Sequence, residues 1–276
     1  MTQANTLLLL FDNPGKDYVA RIHSAVTRQA NAASLRVASD NVYESRRRAE
    51  ELLDDARLAG VILTPPFSDD RHVLTLIERR GLPVVRIAPL LDPNRGSAVG
   101  MDEYDASRAI TDHLVAHGHR RSGFVRGPKA HLVSMRRYNG YTNALGAKGI
   151  AIDPSLIAQG DFTRESGRAA AATLFAARPS AIFASNDEMA AGIVDAARAA
   201  GVAIPGQISL VGYDDNAVAR SISPRLTTVR QPLEAMGEAA ARLLADHVRN
   251  PRKPCESVTI PYEIVERESV RAALAG

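Results

Sequence analysis

The stretch SAIFASNDEMAAGIVDAARAAGVAIPGQISLVGYDD, residues 180–215, decides the fold. Two short apolar runs, residues 181–184 and 208–211, lie on either side of a helical pattern. Such runs are typical of buried strands, and a helix between two of them predicts a βαβ unit with parallel strands. Each run ends in polar residues, and ligands of open α/β sheets bind beyond the carboxyl ends of the strands. Asn186 and Asp214 are therefore the first candidates for a binding site.

The composition is that of a soluble, globular protein. The chain has 276 residues, of which 45% are hydrophobic and 24% are charged, enough for one large domain or two lobes. No apolar run reaches the roughly 18 residues of a membrane span, so no membrane partner is expected. The lone Cys255 cannot form an internal disulfide, which is typical of a reducing compartment and indicates a cytoplasmic protein. The sequence contains no Cys/His cluster with zinc-ligand spacing, and neither a metal nor a cofactor is expected.

The net charge of +3 is small and spread along the chain. Residues 46–48, Arg-Arg-Arg, are its densest cluster. They fall in a segment rich in Glu and Asp that is predicted to be helical over residues 43–58. A solvated helix face is therefore the favoured interpretation, in preference to a nucleic-acid patch.

The alternation of the opening stretch continues along the rest of the chain. Strands are predicted at residues 6–11, 34–38, 60–64, 84–87 and 122–125, with extended segments at residues 97–101, 226–229 and 257–265. Helices are predicted at residues 17–30, 43–58, 71–80, 104–117, 133–146, 164–176 and 232–248. A join near Asp102 separates two such sets, which predicts an α/β fold of two doubly wound parallel-sheet lobes. The helix over residues 232–248 follows the second set and is a candidate for packing back on the first lobe.

Six motifs occur in a fixed order along the chain. They are Gly-His-Arg-Arg (118–121), Arg-Tyr-Asn-Gly-Tyr (137–141), Gly-Asp-Phe-Thr (160–163), Ala-Ser-Asn-Asp (184–187), Ile-Ser-Leu-Val-Gly-Tyr-Asp-Asp (208–215) and Leu-Thr-Thr-Val-Arg-Gln-Pro (226–232). Each motif is weak alone, but six at compatible spacing are specific. Together they resemble the effector-binding core of the lactose/galactose-repressor (LacI/GalR) family of bacterial transcription regulators, over nearly the whole chain.

The resemblance implies a periplasmic-binding-protein-like fold of type I, with three crossovers near Asp102, residues 229–231 and Pro261. The first lobe would comprise residues 5–102 plus 231–260, and the second residues 103–230 plus 261–276. The family's N-terminal helix-turn-helix domain, which contacts operator DNA, is expected to be absent from this chain. A truncated chain is the simpler account, and a natural regulator without its own DNA-binding module is the alternative. A homodimer is also implied.

The resemblance places ligand contacts in the second lobe. The carboxylate of Asp214 would accept hydrogen bonds from the hydroxyls of a vicinal diol, and the planar fork of Arg137 would bridge two ligand oxygens. Asn186 can donate to a hydroxyl or accept from it. The bland alternatives are a turn-capping carboxylate, a surface arginine and a helix N-cap; for the N-cap, Asp187 is predicted to be the better candidate.

Further candidates come from both lobes. Phe162 matches a family position where an aromatic ring packs on the ligand, and Gln231 lies at a crossover. From the first lobe the matching candidates are Asp12, Tyr18 and Thr64. Structural roles are expected instead for Asp215, in capping or pairing with an arginine, and for Arg136, on the surface. Many relatives carry an Asp at the position of Ala88. This chain therefore lacks one polar contact that they have, and the ligand of a relative cannot simply be assigned to it.

The sequence thus predicts the ligand-sensing core of a transcription regulator that binds a small effector, with a sugar favoured. The first alternative is a sugar-binding protein of a transport system with the same fold. The second is a glycosidase that would use the carboxylates of Asp214 and Asp12, since such enzymes need two carboxyl groups across the scissile bond. The sequence does not select the ligand, and the absence of Trp removes only one common stacking group.

Overall fold

Strands and helices alternate through residues 4–273, the part of the chain that the computed structural model describes. The strands are β1 (Thr6–Phe11), β2 (Arg36–Asn41), β3 (Leu58–Leu63), β4 (Val84–Ile87), β5 (Ser97–Gly100), β6 (Ser122–Arg126), β7 (Ile157–Gln159), β8 (Ala181–Ala184), β9 (Ser209–Asp214), β10 (Thr227–Arg230), β11 (Ser257–Thr259) and β12 (Glu263–Val265). The helices are α1 (Lys16–Ala32), α2 (Val42–Ser45), α3 (Ala49–Leu53), α4 (Arg71–Arg79), α5 (Glu103–Ala116), α6 (Leu132–Ala147), α7 (Arg164–Ala176), α8 (Asp187–Ala200), α9 (Ala217–Ser221) and α10 (Leu233–Arg249).

The chain divides into two units and passes between them three times. Unit 1 contains Met1–Met101 and Pro232–Pro261, and unit 2 contains Asp102–Gln231 and Tyr262–Gly276. Each unit has a six-stranded sheet of its own. The predicted class, α/β with mostly parallel sheets and three crossovers, is confirmed.

The sheet of unit 1 has the strand order β11-β5-β4-β3-β1-β2, and all of its pairings are parallel. The apolar run of β1 is buried along its length because helices cover both faces of a parallel sheet. Helix α10 packs against α1: a Cβ on Gly237 would lie only 2.9 Å from Cβ of Ala25. The guanidinium of Arg21 donates to Glu234 at 2.7 Å beside this contact. The expectation that this late helix packs on the first lobe is confirmed.

The sheet of unit 2 has the order β12-β10-β9-β8-β6-β7. Its strands are parallel except for β12, which pairs with β10 in the antiparallel sense. Helices α7 and α8 lie against each other on one side of it, where a Cβ on Gly192 would lie 2.0 Å from the carbonyl oxygen of Arg164. This close approach allows the apolar faces of both helices to reach one core with β8 and β9.

The predicted charged helix over residues 43–58 is wrong. The segment forms the two short helices α2 and α3, and Leu58 already begins β3. Arg46 ends α2 in the left-handed conformation, with φ of 57°. Further on, the Asp55 carboxylate accepts from the backbone N–H of Arg57 at 2.9 Å and fixes a turn before the strand. The three arginines at residues 46–48 are therefore exposed in a loop between helices and not on a helix face.

Two short elements have no counterpart among the predictions. Strand β7 lies at the edge of its sheet and is only partly buried, so it lacks the apolar run that marks the central strands. Helix α9 has five residues, too few for a helical period to be recognised. Strand β2 runs to Asn41, three residues beyond its predicted end.

Candidate functional site

Strands β8 and β9 are parallel neighbours, so their carboxyl ends meet at one edge of the unit 2 sheet. Ser185 and Asn186 follow β8 directly, and Asp214 ends β9. All three residues are buried to nine-tenths or more. The βαβ unit predicted from residues 180–215 therefore exists and places its polar ends side by side.

Arg137 on α6 is the buried cation of this edge. Its side chain is only 5% exposed, and its Nε donates to Oε2 of Glu103 at 2.8 Å. Its Nη1 donates to the backbone carbonyl of Ser185 at 2.7 Å. The arginine thus connects the start of α5 with the end of β8, and its fork is held in one orientation.

Tyr213 completes this arrangement from β9. Its hydroxyl donates to Oε2 of Glu103 at 2.7 Å, while the guanidinium of Arg137 lies 3.8 Å from the centre of its ring. Glu103 therefore accepts from both an arginine and a tyrosine, and the ring supplies a cation–π contact. Because every member of this group is buried, the polar atoms satisfy one another in place of water.

Asp214 adds a second carboxylate. Its Oδ1 lies 3.9 Å from Nη1 of Arg137 and accepts a hydrogen bond from Nε2 of Gln231 at 2.6 Å. Its φ of 116° lies in a region that L-residues seldom adopt. Strain of this kind persists where the surroundings fix the residue, as they do at many functional sites.

The charges of the cluster do not balance. Burial favours the neutral form of Arg137, but the neighbouring Glu103, Tyr213 and Asp214 outweigh it and raise the pKa of the guanidinium, which stays charged. Burial, and then the charge of Asp214, raise the pKa of Asp187 well above its usual value. One fixed cation thus faces the carboxylates of Glu103 and Asp214, an arrangement that suits a neutral, hydroxyl-rich ligand better than an anionic one.

Asn186 is the N-cap of α8. Its Oδ1 accepts from the backbone N–H of Met189 at 2.9 Å, and its Nδ2 donates to the carbonyl of Phe162 at 3.0 Å. The prediction that Asp187 would be the better cap is wrong. The Asp187 carboxylate instead accepts from the hydroxyl of Thr228 at 2.6 Å and from the backbone N–H of Asn216 at 2.9 Å.

Phe162 precedes α7 and lies close to the arginine. Its ring centre is 5.8 Å from the guanidinium of Arg137 and 5.5 Å from the ring of His131, which it meets edge to face. Its φ of 70° is left-handed, and a Cβ on Gly127 would come within 2.2 Å of its ring. The aromatic ring therefore packs directly against Gly127, where no larger residue would fit.

The structural roles predicted for two neighbours are confirmed. Asp215 is 1% exposed and accepts from Arg230 at 2.7 Å and from Arg267 at 2.5 Å. Arg136 is exposed on the surface of α6.

The three candidates of unit 1 lie around the carboxyl ends of β1 and β3, which are parallel neighbours. Asp12 follows β1, and burial raises the pKa of its carboxyl against the opposing effect of the Arg46 charge. Thr64 follows β3 and is fully buried, with its hydroxyl donating to the carbonyl of Leu10 at 2.9 Å. Tyr18 is partly buried in the first turn of α1. Ala88, where the sequence departs from the family pattern, follows β4 with a left-handed φ of 49°.

The structure thus joins five of the sequence-predicted residues through direct contacts or shared neighbours in unit 2: Arg137, Phe162, Asn186, Asp214 and Gln231. Sequence reasoning missed Glu103, Tyr213 and His131. Two of the three had a signal in the sequence: Glu103 directly follows the predicted crossover at Asp102, and Tyr213 directly precedes Asp214 in the motif of residues 208–215. Among the residues described, no three His, Cys, Asp or Glu side chains group as a metal site requires. Across residues 4–273, no helix is both long and apolar enough to cross a bilayer.

Comparison with known protein families defines the class first. Residues 111–270 match the family described as the periplasmic binding protein-like domain. This match covers more than half of the chain and agrees with the two parallel-sheet units.

Comparison with individual proteins then gives the family. The chain is 35% identical over 214 residues to the HTH-type transcriptional regulator CelR of Thermobifida fusca, covering 76% of this chain and 63% of that protein. It is 32% identical over 237 residues to the HTH-type transcriptional repressor PurR of Klebsiella pneumoniae, covering 83% of this chain and 68% of the relative. A solved complex of CelR with cellobiose superposes with a TM-score of 0.89 at 28% identity, over 97% of this chain and 85% of that one. The chain belongs to the LacI family of transcriptional regulators.

Proposed function

We propose that this chain is the ligand-sensing and dimerisation core of a transcription regulator and that its effector is a sugar. The single observation that carries the proposal is the Arg137–Glu103–Asp214 cluster at the carboxyl ends of β8 and β9. Carboxylate, guanidinium and amide groups meet there, and these groups bind hydroxyls in both donor and acceptor roles. The relative CelR, solved with cellobiose, supports a sugar over other metabolites.

The contacts within the cluster suggest how a ligand would bind. A sugar with adjacent hydroxyls would donate to Asp214 in place of the Gln231 amide, which now occupies Oδ1 at 2.6 Å. Arg137 would keep its bonds to Glu103 and Ser185 and offer its remaining donors to the ligand. The ring of Phe162 would pack against an apolar sugar face. Asn186 is held by its cap and by Phe162, so it would act chiefly by positioning that ring.

Units 1 and 2 would be the two lobes of the effector-binding domain, and Asp12, Tyr18 and Thr64 would add contacts from the first lobe. Control of transcription would then be a population shift. The ligand must bind two arrangements of the lobes with different affinity, because equal affinity would switch nothing. The arrangement selected in a homodimer would alter binding to operator DNA by helix-turn-helix modules of the kind that the relatives' names state. Such a regulator would act in the cytoplasm.

A binding experiment tests the proposal. A thermal-shift screen would compare mono- and disaccharides, including cellobiose, with sugar phosphates and nucleobases. Ligand at about a hundred times its dissociation constant stabilises the folded state by about 2.7 kcal/mol, which is readily measured. A neutral sugar should give the largest shift.

Matched variants then assign the site. Asp214→Asn keeps the side-chain volume but removes the charge, and is expected to weaken sugar binding at least tenfold. Asp112→Asn makes the same change at a residue of unit 2 whose side chain is 37% exposed and, among the described residues, pairs only with Arg108, and it should bind as the parent chain does. Equal binding by both variants, or a response to nucleobases alone, contradicts the sugar site. Hydrolysis of the bound sugar would favour a glycosidase instead.

A further inference from the structure

Unit 2 contains a cavity near the candidate effector residues. It lies where β6 ends and α6 begins, and its volume is about 160 Å³. Its lining includes Arg126, Lys129, His131, Ser134 and Tyr138. None of the five sequence-predicted candidates of unit 2 lines it, and only His131, which contacts Phe162, connects it with that group.

Two cations of this cavity have no acidic partner. Within residues 4–273, no carboxylate comes within ion-pair distance of Arg126 or Lys129. The guanidinium of Arg126 instead stacks on the ring of Tyr138, 3.7 Å from its centre. Arg121, five residues earlier, shows the contrast, because it pairs with Asp153 at 2.7 Å. The cavity therefore has a positive charge that the described residues leave uncompensated.

Buried polar atoms of the lining also lack hydrogen-bond partners. The hydroxyl of Ser134 and Nε of Arg126 are inaccessible to solvent and have no partner among the described residues. Ser134 as a whole is 6% exposed. A buried polar group left without a partner is costly, so such atoms in a native protein indicate a missing partner.

The N-terminus of α6 adds to the positive electrostatic potential of this cavity. His131 is its N-cap residue and makes no side-chain cap, so the first N–H groups of the helix are not satisfied from that side chain. The N-terminus of a helix carries a partial positive charge and favours anions. Two cations, an unpartnered hydroxyl and this helix end thus point to one kind of ligand.

We propose that this cavity binds the phosphate group of a small metabolite. A phosphate offers three acceptor oxygens in diverging directions, which can accept from Arg126, from Lys129 and from the hydroxyl of Ser134. Its size also agrees, since a cavity of about 160 Å³ is large enough for a phosphate group. The rest of a bound metabolite would extend out of the cavity past Lys129 and Met135, which are both exposed.

The position of the cavity gives binding a consequence. His131 lines it on one side and contacts Phe162, an effector candidate, on the other. An anion in the cavity would therefore act on the ring that packs against the effector, and the two ligands would influence each other.

Isothermal titration at constant ionic strength tests the proposal, with inorganic phosphate and glycerol 3-phosphate as probes. Saturable binding is expected for at least one probe. Lys129→Gln changes only an exposed side chain, so it keeps the fold, and it should weaken binding at least tenfold. Ser134→Ala should also weaken it. Lys148→Gln removes an equally exposed lysine of unit 2 and should change nothing.

Comparison of the two probes identifies the source of the phosphate group. Tighter binding of glycerol 3-phosphate indicates a phosphorylated metabolite, and equal binding indicates free phosphate. Asp214→Asn separates this site from the effector site, because it should weaken sugar binding at least tenfold and leave phosphate binding unchanged. The proposal is overturned if the parent chain binds neither probe at millimolar concentration, or if Lys129→Gln and Ser134→Ala bind as the parent does.

Discussion

Replacing Glu103 with Gln tests whether the buried cation of unit 2 depends on its carboxylate. The side chains of Arg137 and Glu103 are 5% and 3% exposed and share a hydrogen bond of 2.8 Å. Removing one partner of a buried ion pair leaves the other charge uncompensated, which costs about 3–5 kcal/mol. Solvent screening reduces this little, because neither side chain reaches water.

Two features of the structure place the cost near the lower end of that range. Glutamine keeps an oxygen that can still accept from the Tyr213 hydroxyl, now bonded at 2.7 Å. Asp214 also remains 3.9 Å from the guanidinium and compensates part of its charge. We therefore expect Glu103→Gln to lower the free energy of unfolding by about 3 kcal/mol, and the melting temperature by about 6–12 °C for a chain of this size.

Urea unfolding followed by circular dichroism measures the effect. The exposed Glu165→Gln is the matched control and should change stability by less than about 0.5 kcal/mol. The double variant Glu103→Gln/Arg137→Gln removes both charges. Its loss should be smaller than the sum of the two single losses by about 1–3 kcal/mol, since the residues are in contact. Additive losses, or a Glu103→Gln variant as stable as the control, would refute the reasoning.

Three further predictions concern the fold of unit 2. Gly192→Ala should lower the free energy of unfolding by about 1–3 kcal/mol, because the new methyl group would lie 2.0 Å from a backbone carbonyl oxygen. Gly146→Ala, where a Cβ would meet nothing within 4 Å, should stabilise the fold slightly. Thermal unfolding of the two variants measures both effects. Asp215→Asn should cost about 2 kcal/mol in urea unfolding, a buried-pair loss reduced by the partial exposure of Arg230. Burial, and then the charge of Arg137, lower the pKa of His131 from 6.5 to about 4. The neutral His131 ring therefore contributes fully to stability above pH 6.5, and this contribution is lost as the pH falls towards 4. NMR titration of the ring should find the low pKa, and His131→Gln should lose less stability over that pH range than the parent chain does.

The sequence predicted the elements that carry strong apolar patterns. The helix α7 lies at its predicted residues, and the strand β1 does too, because each has a clear period or a continuous apolar run. The prediction of one helix over residues 43–58 was wrong for a local reason. The composition of this segment favours a helix, but the left-handed Arg46 and the turn at Asp55 interrupt it. Neither the left-handed residue nor the turn can be recognised from the spacing of apolar residues.

In the candidate site, too, some residues could be selected from the sequence and others could not. The rule that ligands bind at strand ends was enough to select Asp214 and Asn186 from the sequence. The partner of Arg137 could not be selected, because Glu103 lies on another helix and 34 residues away, and only packing brings them together. The capping residue was predicted wrongly for a different reason: Asn186 and Asp187 are both good caps, and the hydroxyl of Thr228 engages Asp187, so Asn186 caps the helix.

Gln231 connects the candidate site to the path of the chain. It is the last residue of unit 2 before the second crossover, and its amide donates to Oδ1 of Asp214 at 2.6 Å. A hydroxyl that bonds to the same oxygen must compete with this amide, since a carboxylate oxygen in a buried site has few open directions. We therefore expect a ligand at Asp214 to act on the crossover directly, without a longer chain of contacts. Gln231→Glu would place a second carboxylate beside Asp214, and we expect sugar binding to weaken because the two carboxylates repel each other. Gln207→Glu makes the same change at an exposed position of unit 2 and should leave sugar binding unchanged in the same thermal-shift measurement.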